Sequence, residues 1–456
     1  MQIAKRMPTP PTSSNVFYRK LTRRFPRIVR GEGCYLFDDG GRRYLDGSGG
    51  AFVANLGHGV AEIADAIGDQ ARTLGYVNGT AFTHGPVEEL AAELARRSPP
   101  GLELVYPLGS GSEAVEAALK LARQYWVESG RTAKRKIVTL MPSYHGNTLL
   151  ALSASARPHY RILFEDWMVE VVRVPAPYPY RCECHGEPPY CPRCSGEAVE
   201  DAIIQADPES VAAFIGEPIG GSSTGASVPP PGYWQRIRAA CDRHQVLLIA
   251  DEVLTGAGRT GTWSALEPYG VAPDIMTLGK GIAGGYVPLS AVITTRSIAG
   301  VIAQGTGALA HAQTFSHHPV LCAAGVATLR YLAERRLIER CAEMGRVLHR
   351  RLNELRALPL VGDVRGRGLL AGVEFVADQE TREALPRSAA FAETFTQAAL
   401  DAGLVVWPNV GHADGRNGDL VMLAPPFVVT EDQIDEMLTL FTRALRDAAD
   451  RVGAMK

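Results

Sequence analysis

Two runs decide how this chain is read: Val246-Leu-Leu-Ile-Ala-Asp251-Glu252-Val253 and, after it, Asp274-Ile-Met-Thr-Leu-Gly-Lys280-Gly-Ile-Ala-Gly-Gly285. Each contains a short, mostly apolar segment with the length of a buried strand that leads into an ionisable residue, Asp251 in the first and Lys280 in the second. In a sheet covered by helices, ligands collect beyond the carboxyl ends of the strands, so Asp251 and Lys280 are expected to meet at one site. Of seven lysines, Lys5, Lys20 and Lys456 lie near the termini, Lys134 and Lys136 in a charged stretch and Lys120 in a helical pattern, which leaves Lys280 as the outlier. A lysine flanked by small residues can reach an aldehyde and form a Schiff base with it, and an aspartate can hold a ring nitrogen protonated. The pair therefore suggests a pyridoxal phosphate site. The plainer alternative is a structural lysine snorkelling out of a glycine turn.

Outward from these runs, β-rich segments at 136–140, 169–174, 211–215, 246–250, 275–278 and 289–294 alternate with helical patterns. One of these is 112–126, where Ala114, Ala118, Leu121 and Tyr125 share a face. Such alternation predicts an α/β domain with a mainly parallel sheet and helices on both faces. From about Ala333 the pattern changes to long amphipathic helices with short strands at 361–365 and 369–375. Thr430 and Gln433 read as a capping box ahead of a helix with Ile434, Met437, Leu438, Phe441 and Leu445 on one face. The stretch Tyr35-Leu-Phe-Asp-Asp-Gly-Gly-Arg-Arg-Tyr-Leu-Asp46 reads as a hairpin turning at Asp39-Gly40-Gly41, too small to stand alone. The expected organisation is a large domain at 63–332 and a smaller α+β domain built from 1–62 and 333–456.

The 456 residues, 46% hydrophobic and 21% charged, are ordinary globular values for a chain of more than one domain. A formal charge of −2 gives no electrostatic footprint for nucleic acid or an anionic membrane. The segment 1–14 lacks the apolar core of a signal peptide, and no stretch is long enough to span a bilayer, so a soluble cytoplasmic protein is expected. Four of eight cysteines fall in Cys182-Glu-Cys184-His-Gly-Glu-Pro-Pro-Tyr-Cys191-Pro-Arg-Cys194. They could close a tetrahedral zinc site of structural kind, although Cys-x-Cys is tighter than the usual spacing. Reduced thiols on a proline-rich surface excursion, or a labile disulfide, are the alternatives.

Three further strings bear on chemistry. Leu108-Gly109-Ser110-Gly111-Ser112-Glu113-Ala114 is a small-residue turn entering a helix, where free N–H groups, the helix dipole and two hydroxyls favour a phosphate. It is also a loose dinucleotide pattern, but 103–107 reads as a weak strand broken by Pro107, and Glu128 is not at a strand end. In Met141-Pro-Ser-Tyr144-His145-Gly146-Asn147, Tyr144 could cover one face of a flat ring, with Val253 on the other, and Glu217 ends another strand. In His311-Ala-Gln-Thr314-Phe315-Ser316-His317-His318-Pro319, Thr314 suits a phosphate better than the adjacent histidines suit a metal.

Taken together, from about Tyr35 to Asp447, these strings resemble the class III aminotransferases, which are fold type I pyridoxal phosphate enzymes. The resemblance implies that Lys280 carries the cofactor and moves the proton, that Asp251 pairs with the pyridinium, and that Tyr144 and Val253 sandwich the ring. It further implies that Ser110, Gly111 and Ser112 hold the phosphate, with His145 and Glu217 beside the cofactor. Thr314 of the partner subunit completes the site, so a homodimer is implied. Relatives acting on ornithine or 4-aminobutyrate carry a second glutamate where this chain has Ser222, so the chain looks more like the amine and ω-amino acid:pyruvate branch. By that likeness Phe52, Phe82 and Ser222 line the substrate pocket, and Arg416 in Asp414-Gly-Arg416-Asn-Gly-Asp419 receives a carboxylate, with a spacing that differs by one residue from the usual pattern. An aminomutase or decarboxylase of the same fold, or a non-catalytic cofactor-binding protein, would share Lys280 and Asp251.

Overall fold

The computed structural model describes residues 14–21 and 23–453. The segment read for targeting signals, apart from Ser14, lies outside them, as do Lys5 and Lys456. Seven strands form the principal sheet, in the order Leu102–Leu108, Ser290–Thr295, Ile275–Leu278, Leu247–Asp251, Val211–Gly216, Lys136–Met141 and Val172–Pro175. The last five run parallel, and Ser290–Thr295 is antiparallel to both of its neighbours. Every residue of Val211–Gly216 and Leu247–Asp251 is buried, which explains why their sequences are continuously apolar and do not alternate. Alternate residues still face opposite layers. Ile215 and Ile249 pack with Ala114 and Ala118 of the helix Gly111–Glu128, while Phe214 and Leu248 pack with Trp234 and Ile237 of Tyr233–Arg243.

One expectation fails at the sheet edge. Residues 102–108 form a full strand that contains Pro107, because this strand pairs only with Ser290–Thr295 and an edge tolerates a missing N–H.

A second sheet, all antiparallel, contains Val361–Arg367, Leu370–Asp378, Asp419–Leu423, Trp407–Val410 and the short Glu383–Ala384. The hairpin Tyr35–Asp38 and Arg43–Asp46 forms as read and continues into Ile28–Glu32, and Arg43–Asp46 pairs in parallel with Leu404–Val405. The helices Leu337–Glu354, Phe391–Ala402 and Glu431–Val452 contribute to the core here, with Phe375, Phe395 and Phe441 in one aromatic cluster. The capping box of Thr430 and Gln433 is present in both directions. Among the described residues no helix is long and apolar enough to cross a membrane.

The loop from Pro175 to Ser195 is joined to this second sheet through a buried carboxylate. Glu374, fully buried, pairs with Arg365 at 2.8 Å and with Arg181, accepts a hydrogen bond from the Tyr178 hydroxyl, and has His412 Nε2 at 3.1 Å. Burial alone would raise its pKa, but these neighbours outweigh burial and hold the carboxyl well below the ordinary carboxylate range. Burial drives the His412 pKa down, opposed by the Glu374 carboxylate beside it. Glu374→Ala should leave Arg181 without a carboxylate partner and Arg365 with Asp363 alone, and cost about 3 kcal/mol, read as a lower denaturation midpoint; an unchanged midpoint would refute the role. Because the folded-state pKa is depressed, the stabilisation is present above the unfolded carboxyl value of about 4.3 and is lost as pH falls below it.

Candidate active site

The site is built around the tip of Leu247–Asp251. Asp251 is 5% exposed, its Oδ2 lies 2.7 Å from His145 Nδ1, and its Oδ1 accepts hydrogen bonds from the Val253 N–H and the Thr277 hydroxyl, both at 3.1 Å. His145 is held in turn by Ser155, whose Oγ accepts its N–H at 2.8 Å, and by Thr139 Oγ1, 3.3 Å from Nε2. Burial pulls the His145 pKa down, but the hydrogen bond and charge of Asp251 more than offset this, so the net shift is upward. Glu217 ends the neighbouring strand and accepts the Tyr144 N–H at 3.2 Å and the Gly221 N–H at 3.0 Å. Burial raises its pKa, reinforced by Asp251 and opposed by His145.

Lys280 follows Ile275–Leu278 with φ of +46°, a left-handed conformation that side-chain-bearing residues rarely adopt. The chain behind it is tightly held. A Cβ on Gly281 would sit 2.1 Å from Asn55 Nδ2, and Asn55 accepts a hydrogen bond from Arg259, a fully buried cation that also donates to the Leu369 and Pro425 carbonyls. The Lys280 ammonium lies 5.3 Å from the ring centroid of Phe52. Phe52 also has a positive φ, +64°, in a turn held by Asp46, whose two carboxylate oxygens accept the Gly50 N–H. Burial lowers the Lys280 pKa to about 8 even though Asp251 and Glu217 pull it upward.

The small-residue turn sits where the helix Gly111–Glu128 begins. The Ser110 Oγ caps it, accepting the Glu113 N–H at 3.3 Å, and Ser112 Oγ accepts the Asn147 N–H at 3.2 Å. Gly111 is required for packing, because a Cβ there would lie 2.7 Å from Val253 Cγ1.

A cleft of about 600 Å³ brings together Ser110, Gly111, Ser112, Tyr144, His145, Glu217, Asp251, Val253 and Lys280, with Phe52 and Ser222 also on its wall. Three expected residues do not line it. Thr314 is exposed, Phe82 is 66% exposed, and Arg416 is exposed on a turn whose N–H groups at 416 and 417 are tied to the Asp414 carboxylate. The cleft also contains residues the sequence reading missed, chiefly Arg157, with Arg19, Tyr160 and Trp407. Arg157 is 6% exposed, donates to Ser222 Oγ at 3.1 Å and to Asn409, and forms no ion pair with a carboxylate among the described residues. A cation closing the small-residue run Ser153-Ala-Ser-Ala-Arg157 was the available signal.

The family profile described as Aminotransferase class-III matches residues 18–445. The chain belongs to the class III aminotransferases. It is 37% identical to the uncharacterized aminotransferase YodT of Bacillus subtilis (95% of this chain, 98% of that one) and 35% identical to the putrescine–pyruvate aminotransferase of Pseudomonas aeruginosa (96% and 94%). Among solved structures, an (S)-enantioselective omega-transaminase from Thermomicrobium roseum matches with a TM-score of 0.86 at 36% identity, covering 93% of this chain and 92% of that one. An amine transaminase from an uncultivated Pseudomonas species, in its PLP-bound form, matches with 0.86 at 33%, covering 98% and 99%. The architecture is that of fold type I, and the chain is a transaminase.

The family implies pyridoxal phosphate, and the cleft fits it: a lysine amine without a hydrogen-bond partner among the described residues, a carboxylate tied to His145, and a helix start kept open by glycine. In the cofactor-free protein, the pH profile of Lys280 labelling by an amine-specific reagent should have its midpoint near 8. A midpoint at the ordinary lysine value of about 10.4 would show that burial is not felt there.

Proposed function

We propose that this transaminase moves an amino group from an amine or ω-amino acid to a small keto acid such as pyruvate, with pyridoxal phosphate as its cofactor. The observation that carries the reading is the shared cleft of Lys280 and the Asp251–His145 couple. When bound, the cofactor supplies an aldehyde that takes up the donor nitrogen and a cationic ring that stores an electron pair. Asp251 would pair with that ring's nitrogen, and His145 and Thr277 aim its carboxylate. Lys280, whose pKa burial lowers, would take the proton from the donor's amine-bearing carbon and return one to the acceptor's. Ser110, Gly111 and Ser112 hold the phosphate at the helix start. Tyr144 and Val253 flank the ring, and Glu217 positions Tyr144 through its N–H.

Arg157 is assigned the carboxylate of the keto acid or ω-amino acid. It is a desolvated cation whose pKa is lowered by burial, so an incoming carboxylate restores a partner it lacks. Ser222 stands beside it, where a glutamate would compete for the same guanidinium, and this supports ready access for a small keto acid. Phe52 and Trp407, with ring centroids 5.3 Å apart, give the donor pocket an apolar wall. Activity named for two relatives, putrescine–pyruvate and omega-transamination, points the same way.

The proposal includes a homodimer. Thr314, Phe82 and Phe315 are exposed, and Tyr76 and Phe315 form an aromatic pair at the surface, a patch suited to burial against a second copy that would bring Thr314 and Phe82 to the partner's cleft. Segments 1–62 and 333–456 are taken as one unit beside 63–332. Arg416 is left as a surface residue of this reading.

Single amines added to the cofactor-loaded enzyme without keto acid should discharge the cofactor's absorbance, and pyruvate should restore it. If no amine of a broad panel does so, amino transfer of this kind is ruled out. Lys280→Ala should lower turnover by more than about 10⁴-fold. Arg157→Ala should raise KM for pyruvate by about ten- to a hundredfold while sparing amines without a carboxylate, and an equal effect on both would remove Arg157 from the carboxylate site.

A further inference from the structure

The excursion between the strand Val172–Pro175 and the helix Glu197–Gln205 lies outside the catalytic reading, and its four cysteines converge. The sulphurs of Cys182, Cys184, Cys191 and Cys194 all lie within 4.8 Å of one another. Cys182 Sγ is 3.3 Å from Cys184 and 3.1 Å from Cys194, and Cys184 is 3.5 Å from Cys191. These contacts are far longer than a disulfide of about 2.05 Å, and two of the sulphurs, those of Cys182 and Cys184, each have two near neighbours, which pairing into bonds does not explain. A tetrahedral S₄ centre with bonds of about 2.3 Å places its sulphurs about 3.8 Å apart, close to the observed packing.

The backbone is arranged for such a centre. His185 and Gly186 have positive φ, the His185 N–H donates to the Cys182 carbonyl at 3.1 Å and the Glu187 N–H to the Cys184 carbonyl at 2.8 Å, so the chain turns back on itself around Cys184. The second pair straddles a single helical turn, Pro192–Ser195, opening on the Cys191 carbonyl. The geometry points to a structural zinc ion held by Cys182, Cys184, Cys191 and Cys194. With four thiolates the coordination sphere is full, so the ion has no open position for catalysis.

Its consequence is mechanical. The excursion carries Tyr178 and Arg181, which reach Glu374, and Tyr180, whose carbonyl accepts from Arg382, while Ala176 N–H donates to the Met141 carbonyl of the principal sheet. Zinc would stiffen the segment that joins the two sheets at this point.

The test uses the full-length holoenzyme purified under reducing, chelator-free conditions. Elemental analysis should find about one zinc per chain, released when a mercurial blocks the thiols in the presence of a metallochromic dye. The double variant Cys184→Ser, Cys191→Ser, chosen at the two partly exposed positions, should lose the zinc and be cleaved faster between 182 and 194 by protease. Zinc below about 0.1 per chain even after reconstitution with Zn(II), zinc retained by the variant, stoichiometric iron in its place, or fewer than eight thiols in the denatured, metal-free chain would each overturn the assignment.

Discussion

A buried negative charge at the end of a central strand is the constraint that the rest of the site is arranged to satisfy. Asp251 is almost fully enclosed, and a buried carboxylate without partners is costly. Here His145, the Thr277 hydroxyl and the Val253 N–H are all directed at it. These partners come from three different strands or their tips, so the charge can be held only when the parallel sheet is in register. Glu217, one strand over, and Lys280, after the next strand, share the same low-dielectric space. The members of the group therefore act on one another, and a change at one is felt at the rest.

Backbone strain is concentrated at the same place. Lys280 and Phe52 both carry positive φ, and each is fixed from behind, one by the Asn55–Arg259 cluster and the other by Asp46. Such conformations persist when the surroundings over-determine them. Here Arg259 links them to the second sheet through the Leu369 and Pro425 carbonyls, so the position of the reactive amine depends on packing well outside the cleft.

The parts of this architecture legible in the sequence are those written in one short run. Apolar strands that run into a charged residue gave up Asp251 and Lys280, and the small-residue turn marked the helix start at Gly111. The hairpin was readable from its glycine turn and the last helix from its capping box. Pro107 misled because a proline looks the same at an edge as in the middle of a sheet, and only the strand order tells the two apart. Arg157 escaped because its neighbours Ser222 and Asn409 are remote in sequence and come together only after folding. Arg416 was read from a local pattern, and it stands on an exposed turn whose N–H groups are tied to Asp414. The aromatic pair Phe52 and Trp407 likewise joins residues that no window of sequence contains.

The pairing of Leu45 with Leu404 has a bearing on biogenesis. A ribosome delivers the amino-terminal hairpin long before the strand that completes its sheet. Until then Arg43–Asp46 presents an open edge in a nascent chain whose central parallel strands are also waiting for neighbours made later. Such a polypeptide is most vulnerable to mispairing while translation is still under way, and the arrival of Leu404–Val405 closes that edge.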